Sequence, residues 1–276
     1  MPELPEVEVV RRGLEENLLR ARISHVEVRE KKLRWPVPID LAENLRGLHL
    51  QSVQRKSKWL LLYFDPYWLI VHLGMSGSLF LKQKGEQPQP HDRIVFSFEK
   101  DIDLIFNDPR KFGSVHLTRD PDSFRFFTKL SPEPWDESVS GSYCHKVATG
   151  KSVNLKSFVL SGRPITGIGN IYACEILFQA RLNPFMPVSQ VSIKEWETFI
   201  QQSRITLQKA IDSGGTTLRD FSGVDGKPGY FYRKLYVYGQ KGEPCTSCGN
   251  NIEILKQQGR STYYCSNCQE VNECRR

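Results

Sequence analysis

The chain has 276 residues, 39% hydrophobic and 25% charged, with 20 Gly, 16 Pro and a net charge of +7. That length gives one large domain or two ordinary ones with a real core, and the composition excludes a disordered or collagen-like chain. The positive excess is densest in the last fifth of the sequence and favours an anionic partner without naming it. No apolar run approaches the roughly eighteen residues of a membrane span. The start, MPELPEVEVV, lacks the basic and apolar regions of a signal peptide. An intracellular, cytoplasmic protein with no membrane partner is expected.

In chain order, residues 5–19 read as a helix, with Val7, Val10, Leu14 and Leu18 on one face and Pro5 in the first turn. From about 23 to 117 the texture is β-rich. The clearest strands are Trp59–Phe64, Trp68–Leu73, Ser78–Lys82, Ile94–Phe98, Asp103–Asn107 and Ser114–Leu117, separated by turn chemistry at Asp65-Pro66, Gly74, 83–90 and Asp108-Pro109. Such spacing suggests a sandwich or barrel. The Pro/Ser/Gly-rich stretch 131–150 reads as a linker. A short helix is expected over Ile171–Ala180, and a longer one after the Ser192/Glu195 capping box, carrying Trp196, Phe199, Ile200, Leu207, Ala210 and Ile211. Residues 214–235 read as a long functional loop. The expected fold is α+β with two domains. The expected boundaries are 1–130 for a β-domain, 131–150 for the linker, 151–235 for a helical domain with the loop, and 236–276 for a Cys-rich tail.

In that tail Cys245, Cys248, Cys265 and Cys268 form C-x2-C-x16-C-x2-C, a spacing suited to a closed, structural four-thiolate zinc site. Two disulfides or free thiols are the competing reading, disfavoured in a chain without a secretion signal. Ile252–Leu255 and Ser261–Tyr264 read as a ribbon hairpin turning at Gly259-Arg260. Cys144, Cys174 and Cys274 lack ligand spacing and read as ordinary thiols.

At the other end, removal of Met1 exposes the amine of Pro2. An α-amine titrates near 7.7–8.0, so roughly a tenth is neutral at pH 7 and able to attack an aldehyde-like sugar carbon. A secondary amine gives an iminium with a fixed positive charge. Glu3 beside it suits proton transfer, and Glu6 suits the positive end of the helix. Taken alone, Met-Pro-Glu is more simply a helix leader.

The chain resembles the bacterial formamidopyrimidine-DNA glycosylase family, bifunctional enzymes that remove oxidised purines. The likeness rests on PELPEVE (2–8), RKSKWLL (55–61), HLGMSGSL (72–79), NDPRKFG (107–113), GIGNIYA (167–173), GGTTLRDF (214–221), DGKPGYF (225–231), VYGQKGEPC (237–245) and the four cysteines, in the family's order. It implies an N-terminal β-sandwich with flanking helices, a C-terminal helical domain with a helix–two-turn–helix, a zinc-ribbon finger, and DNA held between the domains. It also implies base-excision repair by a monomer acting on duplex DNA with oxidised bases or abasic sites, with one structural zinc and no organic cofactor.

By the same likeness Pro2 is the nucleophile at C1′, with Glu3 moving protons at the sugar. Lys58 serves the first elimination and Arg260 the second. His91, Arg110, Lys151 and Asn170 contact phosphates. Met75, Arg110 and Phe112 fill the void left by an everted nucleotide, an apolar wedge with a planar donor. Without the motifs, Met75 and Phe112 would read as core, His91 as undecided and Arg260 as a solvated turn residue. The loop 214–231 is the implied lid over the everted base. Two departures stand out: Ser161-Gly162 replaces an acidic and an amide residue, and QEVNECRR runs past the last zinc ligand. The competing functions are an endonuclease VIII-like enzyme for oxidised pyrimidines, a non-catalytic binder of damaged DNA, and a zinc-ribbon RNA or transcription accessory protein.

Overall fold

The structure, a computed structural model, describes residues 2–216, Val224 and residues 229–270, with only the backbone of Arg233. The chain divides into two compact units: Met1–Lys129 with Ala210–Tyr232, and Leu130–Lys209 with Arg233–Arg276.

The first unit opens with helix α1, Leu4–Leu18. Val7, Val10, Leu14 and Leu18 recur three or four apart and are all essentially buried, the stripe expected of a helix laid on a core. Eight antiparallel strands follow in two four-stranded sheets. One contains β1 (Ile23–Val28), β5 (Ser78–Gln83), β6 (Asp92–Phe98) and β7 (Ile102–Asn107), in the order β1-β6-β7-β5. The other runs β2 (Ser52–Lys56), β3 (Trp59–Phe64), β4 (Tyr67–His72) and β8 (Ser114–Thr118). Leu60, Leu62, Val71 and Val115 of the second sheet share one core with Ile94, Phe96, Leu104 and Phe106 of the first, and α1 closes onto it. This is the expected sandwich. The short helix α2, Leu41–Leu45, and strands β1 and β2 had no individual sequence signal. Ile23–Val28 breaks its alternation at Ser24-His25, and Ser52–Lys56 has Val53 as its one apolar residue, so no strand pattern stands out.

In the second unit, the stretch expected as a linker contains helix α3, Gly141–Ala148. Its Ser-Gly-Ser composition reads as loop, yet Ser140 accepts the Tyr143 N–H as N-cap. Gly141 is needed because a Cβ there would lie 2.5 Å from the Ile193 carbonyl oxygen. Helices α4 (Leu155–Leu160) and α5 (Asn170–Gln179) pack together as the helix–two-turn–helix pair. Ser161 and Gly162 form the turn after α4. Ser161 Oγ donates to the Phe158 carbonyl at 2.6 Å, and Gly162 has φ +71°. The long helix α6, Ile193–Asp212, starts at the expected capping box, where Glu195 accepts the Ser192 N–H at 2.8 Å. Strands β9 (Glu253–Gln257) and β10 (Arg260–Tyr264) make the expected terminal hairpin. Among the described residues no helix is long and apolar enough to cross a membrane.

Candidate functional site

The N-terminus of α1 concentrates the first group of candidates. Pro2, Glu3 and Glu6 are all buried. Glu6 Oε2 accepts the Glu3 backbone N–H at 2.8 Å, satisfying one of the donors that a helix leaves open at its start. Its other oxygen accepts the Thr216 N–H at 2.8 Å. Glu6 therefore does more than face the helix dipole: it fastens the start of α1 to the beginning of the 214–231 segment.

The neck of that segment is closed by a bridge between Thr216 and Tyr230, with the Phe231 N–H on the Gly215 carbonyl at 3.0 Å. Gly229 is required there, since a Cβ would lie 2.4 Å from the carbonyl oxygens of Gly214 and Gly215. Val224 is buried in the sandwich core and its carbonyl accepts the Leu81 N–H. The remainder of the expected lid, 217–223 and 225–228, lies outside the described residues, as do Cys274 and the rest of the tail from 271.

Lys58 sits in the two-residue turn between β2 and β3, where Ser57 has φ +58°. Arg55, the first residue of the RKSKWLL motif, braces this turn. Its Nη1 donates to the Ser57 carbonyl at 2.9 Å and its Nε to Glu8 Oε2 at 3.0 Å. Glu8 also receives Arg11 and Arg12. Burial works against its charge, but the three guanidiniums outweigh burial and hold the carboxyl below the usual range. Beside this turn, Trp59 lies against His72 with ring centroids 4.5 Å apart. Burial first, then the charges of Lys58 and Arg34, push His72 down to about 4. The neutral ring accepts the Gly74 N–H on Nδ1 at 3.0 Å. His116 is likewise pushed down to about 4, by burial and then Arg125.

Met75 and Phe112 are 43% and 41% exposed, which rules out the core reading for both. Their loops abut backbone to backbone: a Cβ on Gly74 would lie 2.4 Å from the Phe112 carbonyl group. Arg110 is exposed, its guanidinium 5.8 Å from the Phe112 ring centroid. His91 is exposed at φ +76°, and its Nδ1 lies 3.1 Å from Arg93 Nη2.

The second unit holds the other candidates. Lys151 is exposed in the connection before α4. Asn170 opens α5, but its Nδ2 donates to the Ser261 carbonyl at 3.0 Å, while its buried Oδ1 has no hydrogen-bond partner among the described residues. The same carbonyl accepts the Nζ of fully buried Lys156 at 3.0 Å, and Lys156 also donates to Thr262 Oγ1 at 2.9 Å. Asn170 and Lys156 thus prop the hairpin one residue from exposed Arg260.

Glu175 is the other unforeseen brace. Its carboxylate accepts the N–H groups of Tyr236, Val237 and Tyr238 at 2.8–2.9 Å, which partly offset the upward push of burial. The signal for these residues lay in long-range pairing, which no local motif displays.

The four tail cysteines converge. Cys245 and Cys268 sulfurs are 3.8 Å apart, Cys248 and Cys265 sulfurs 3.5 Å, and all lie within 4.8 Å of one another. Thiolates about 2.3 Å from a tetrahedral zinc stand about 3.8 Å apart, so the set fits the metal. The first knuckle closes with the Gly249 N–H on the Cys245 carbonyl at 2.9 Å and φ +79° at Gly249. Buried Gln269 fixes the second, accepting the Cys265 N–H and donating to the Leu182 carbonyl. Four protein sulfurs close the coordination sphere, so the zinc is structural. Cys144 and Cys174 are buried as expected, and burial pushes Cys144 up to about 12, which leaves it inert.

Comparisons with known proteins cover nearly the whole chain. A family model described as formamidopyrimidine-DNA glycosylase N-terminal domain matches residues 1–115, and that family's H2TH domain matches 130–222. A zinc finger found in FPG and IleRS matches 242–271. The formamidopyrimidine-DNA glycosylase of Methylococcus capsulatus is 44% identical over 270 residues, covering 98% of this chain and 100% of its own. That of Escherichia coli is 42% identical at the same coverage. The solved complex between Lactococcus lactis Fpg and DNA containing an abasic site superposes with a TM-score of 0.91 at 32% identity, covering 98% of this chain and 100% of that one. A complex of the wild-type Lactococcus lactis protein with DNA containing N7-benzyl-Fapy-dG gives the same score and identity.

Proposed function

Since the chain belongs to the formamidopyrimidine-DNA glycosylase family, we propose that it is a base-excision-repair glycosylase and abasic-site lyase. Its substrates are 8-oxoguanine and formamidopyrimidines in duplex DNA. The observation that carries the reading is the start of α1, where Pro2 and Glu3 are buried together and Glu6 ties them to the neck of the 214–231 segment.

In this reading the Pro2 amine, freed by removal of Met1, attacks C1′ as the glycosidic bond to the damaged base breaks, and Glu3 transfers protons at the sugar. The iminium acidifies the C2′ proton. Its loss expels the 3′ phosphate, with Lys58 as proton donor and phosphate contact, and a second elimination expels the 5′ phosphate with help from Arg260. His91, Arg110, Lys151 and Asn170 hold phosphates, while Met75, Arg110 and Phe112 occupy the vacated stack. Exposure of Met75 and Phe112 on abutting loops supports the last role. The segment 1–130 supplies the chemistry, and 151–235 with the finger 236–276 grips the DNA. A monomer acting in the bacterial cytoplasm on the nucleoid follows from the reading, supported by the bacterial sources of the relatives.

Borohydride reduction of a reaction on 8-oxoguanine opposite cytosine tests it. A covalent protein–DNA complex is expected, with Pro2→Gly or retention of Met1 lowering its yield on the order of a hundredfold or more, as loss of a covalent nucleophile requires. Equal trapping by Pro2→Gly removes Pro2 as nucleophile. Cleavage confined to an oxidised-pyrimidine duplex reassigns the substrate, and binding with no cleavage of any lesion reduces the protein to a damage binder.

A further inference from the structure

Asp108 is fully buried at the end of β7, and each of its carboxylate oxygens is engaged by a different loop. Oδ1 accepts the Ser76 hydroxyl at 2.8 Å, and Oδ2 accepts the Gly113 backbone N–H at 2.7 Å. Ser76 follows Met75 and Gly113 follows Phe112. The backbone of Asp108 reaches a third segment, donating its N–H to the His91 carbonyl at 3.0 Å and accepting Arg93 Nε at 2.9 Å.

A carboxylate withdrawn from water is costly unless its oxygens are satisfied, and here the satisfying donors are supplied by the loops themselves. Either loop can move only by stripping a hydrogen bond from a buried charge. The loops also touch directly, Gly74 on the Phe112 carbonyl, with no space for a side chain between them. Met75 and Phe112 meanwhile stay 43% and 41% exposed, side by side on the two loops that Asp108 ties together.

We infer that Asp108 is a positioning residue that locks the Met75 and Phe112 loops into one rigid wedge, so that both side chains enter the base stack as a unit. The inference deepens the reading above and rests on it. Preorganisation matters because eversion of a paired nucleotide is uphill, and two loops ordered only on insertion would add their own ordering cost to it. At a preformed abasic site there is no base to unstack, so the lock matters less.

The test compares Asp108→Ala, which removes both links, with Asp108→Asn, which keeps them. In Asn the carbonyl oxygen still accepts Gly113 N–H, and the amide donates to a Ser76 hydroxyl that now accepts. The first readout needs no chemistry: fluorescence of 2-aminopurine placed beside a 2′-fluorinated 8-oxoguanine nucleotide, whose base must be everted but whose glycosidic bond resists cleavage, as the protein binds and inserts. The second is the ratio of single-turnover 8-oxoguanine excision to borohydride trapping at a preformed abasic site.

For Asp108→Ala we expect at least a threefold smaller fluorescence rise at saturating protein and a tenfold or greater fall in that ratio. Asp108→Asn should stay within threefold of the parent on both. A parental fluorescence rise in Asp108→Ala, a proportional loss of both reactions, or an Asn variant as impaired as Ala overturns the inference. If Asp108→Ala fails to fold, Ser76→Ala removes only the Met75 link. A fluorescence rise at least twofold smaller is then expected, and a parental rise overturns it. Since fluorescence reports insertion alone, failure of Pro2 as nucleophile and failure of the lock remain distinguishable.

Discussion

Lys58 and Arg260 stand at two hairpin turns that both need left-handed backbone, at one residue in the first and at two in the second. Ser57 takes φ +58° in the β2–β3 turn, and Gln258 and Gly259 take +47° and +76° in the β9–β10 turn. The support beneath them differs. β3 is almost continuously buried, and Glu8 and Arg55 secure its turn from α1. β9 is mostly exposed, and the cluster beneath the finger is small, built from Cys245, Cys265, Val237 and Ile252 against Cys174 and Phe178. Where the sheet buries enough apolar surface, a carboxylate hub fine-tunes the turn. Where it does not, zinc, buried Lys156 and half-buried Asn170 take the core's place.

Removing the metal breaks this comparison most severely. Zinc binding in small fingers contributes about 10–16 kcal/mol to folding, so chelation or Cys265→Ser should melt the finger. Hydrogen exchange should show lost protection across 253–264 and retained protection across 52–64. Duplex affinity should fall by about a hundredfold, or about 2.7 kcal/mol. Retained protection in 253–264 would mean that Lys156 and Asn170 suffice without the metal.

Acid distinguishes the regions in a second way. His72 lies on β4 beside the Lys58 turn, whereas residues 236–276 contain no histidine. With His72 held at about 4 in the folded protein, against an unfolded value near 6.5, the unfolded chain binds more protons between those pH values. Its contribution is therefore complete above about pH 6.5 and is lost as pH falls toward 4, up to roughly 3 kcal/mol. Urea melts of the metal-loaded protein at pH 5 and 7 should show the slope, and His72→Gln should reduce it, with His116, also held at about 4, supplying the remainder. An NMR titration of His72 near 6.5 would defeat the account.

How much of this was legible in the sequence follows from how local each signal is. The α1 stripe, the Ser192/Glu195 box and the cysteine spacing are short-range patterns, and the structure reproduces them. Glu8, Asp108, Lys156 and Glu175 act on partners from 32 to 106 positions away, or on backbone groups that carry no residue code. Glu8 and Asp108 lay inside quoted motifs, so their presence was visible while their purpose was not. Helix α3 was hidden differently: its glycine answers a contact with Ile193, and composition reports that only as a loop.

Glu8→Gln probes the hub itself. Three guanidiniums would face a neutral amide, at a cost of roughly 1–3 kcal/mol, between an exposed pair and a fully buried one. The urea midpoint should fall accordingly. The elimination assigned to Lys58 should slow more than base release, because Arg55 would lose the anchor that aims it at the Ser57 carbonyl. Equal slowing of both steps would reduce Glu8 to a stabiliser of α1.

The smallest effect separates turn shape from turn support. Two successive residues with positive φ make the type I′ geometry that favours Asn-Gly, so Gln258→Asn should strengthen the finger hairpin by about 0.5–1 kcal/mol. Gln258 is exposed, which leaves nothing to oppose the gain. Ser57→Gly relieves a similar left-handed strain, but Ser57 is 4% exposed and engaged with its surroundings. The freed backbone entropy of glycine and the lost side-chain contacts should cancel or reverse the benefit. Local exchange at 261–264 and at 59–61 measures the two changes side by side. Equal gains would mean that both turns are limited by backbone strain alone, and that the buried hub beneath Lys58 adds nothing to its hairpin.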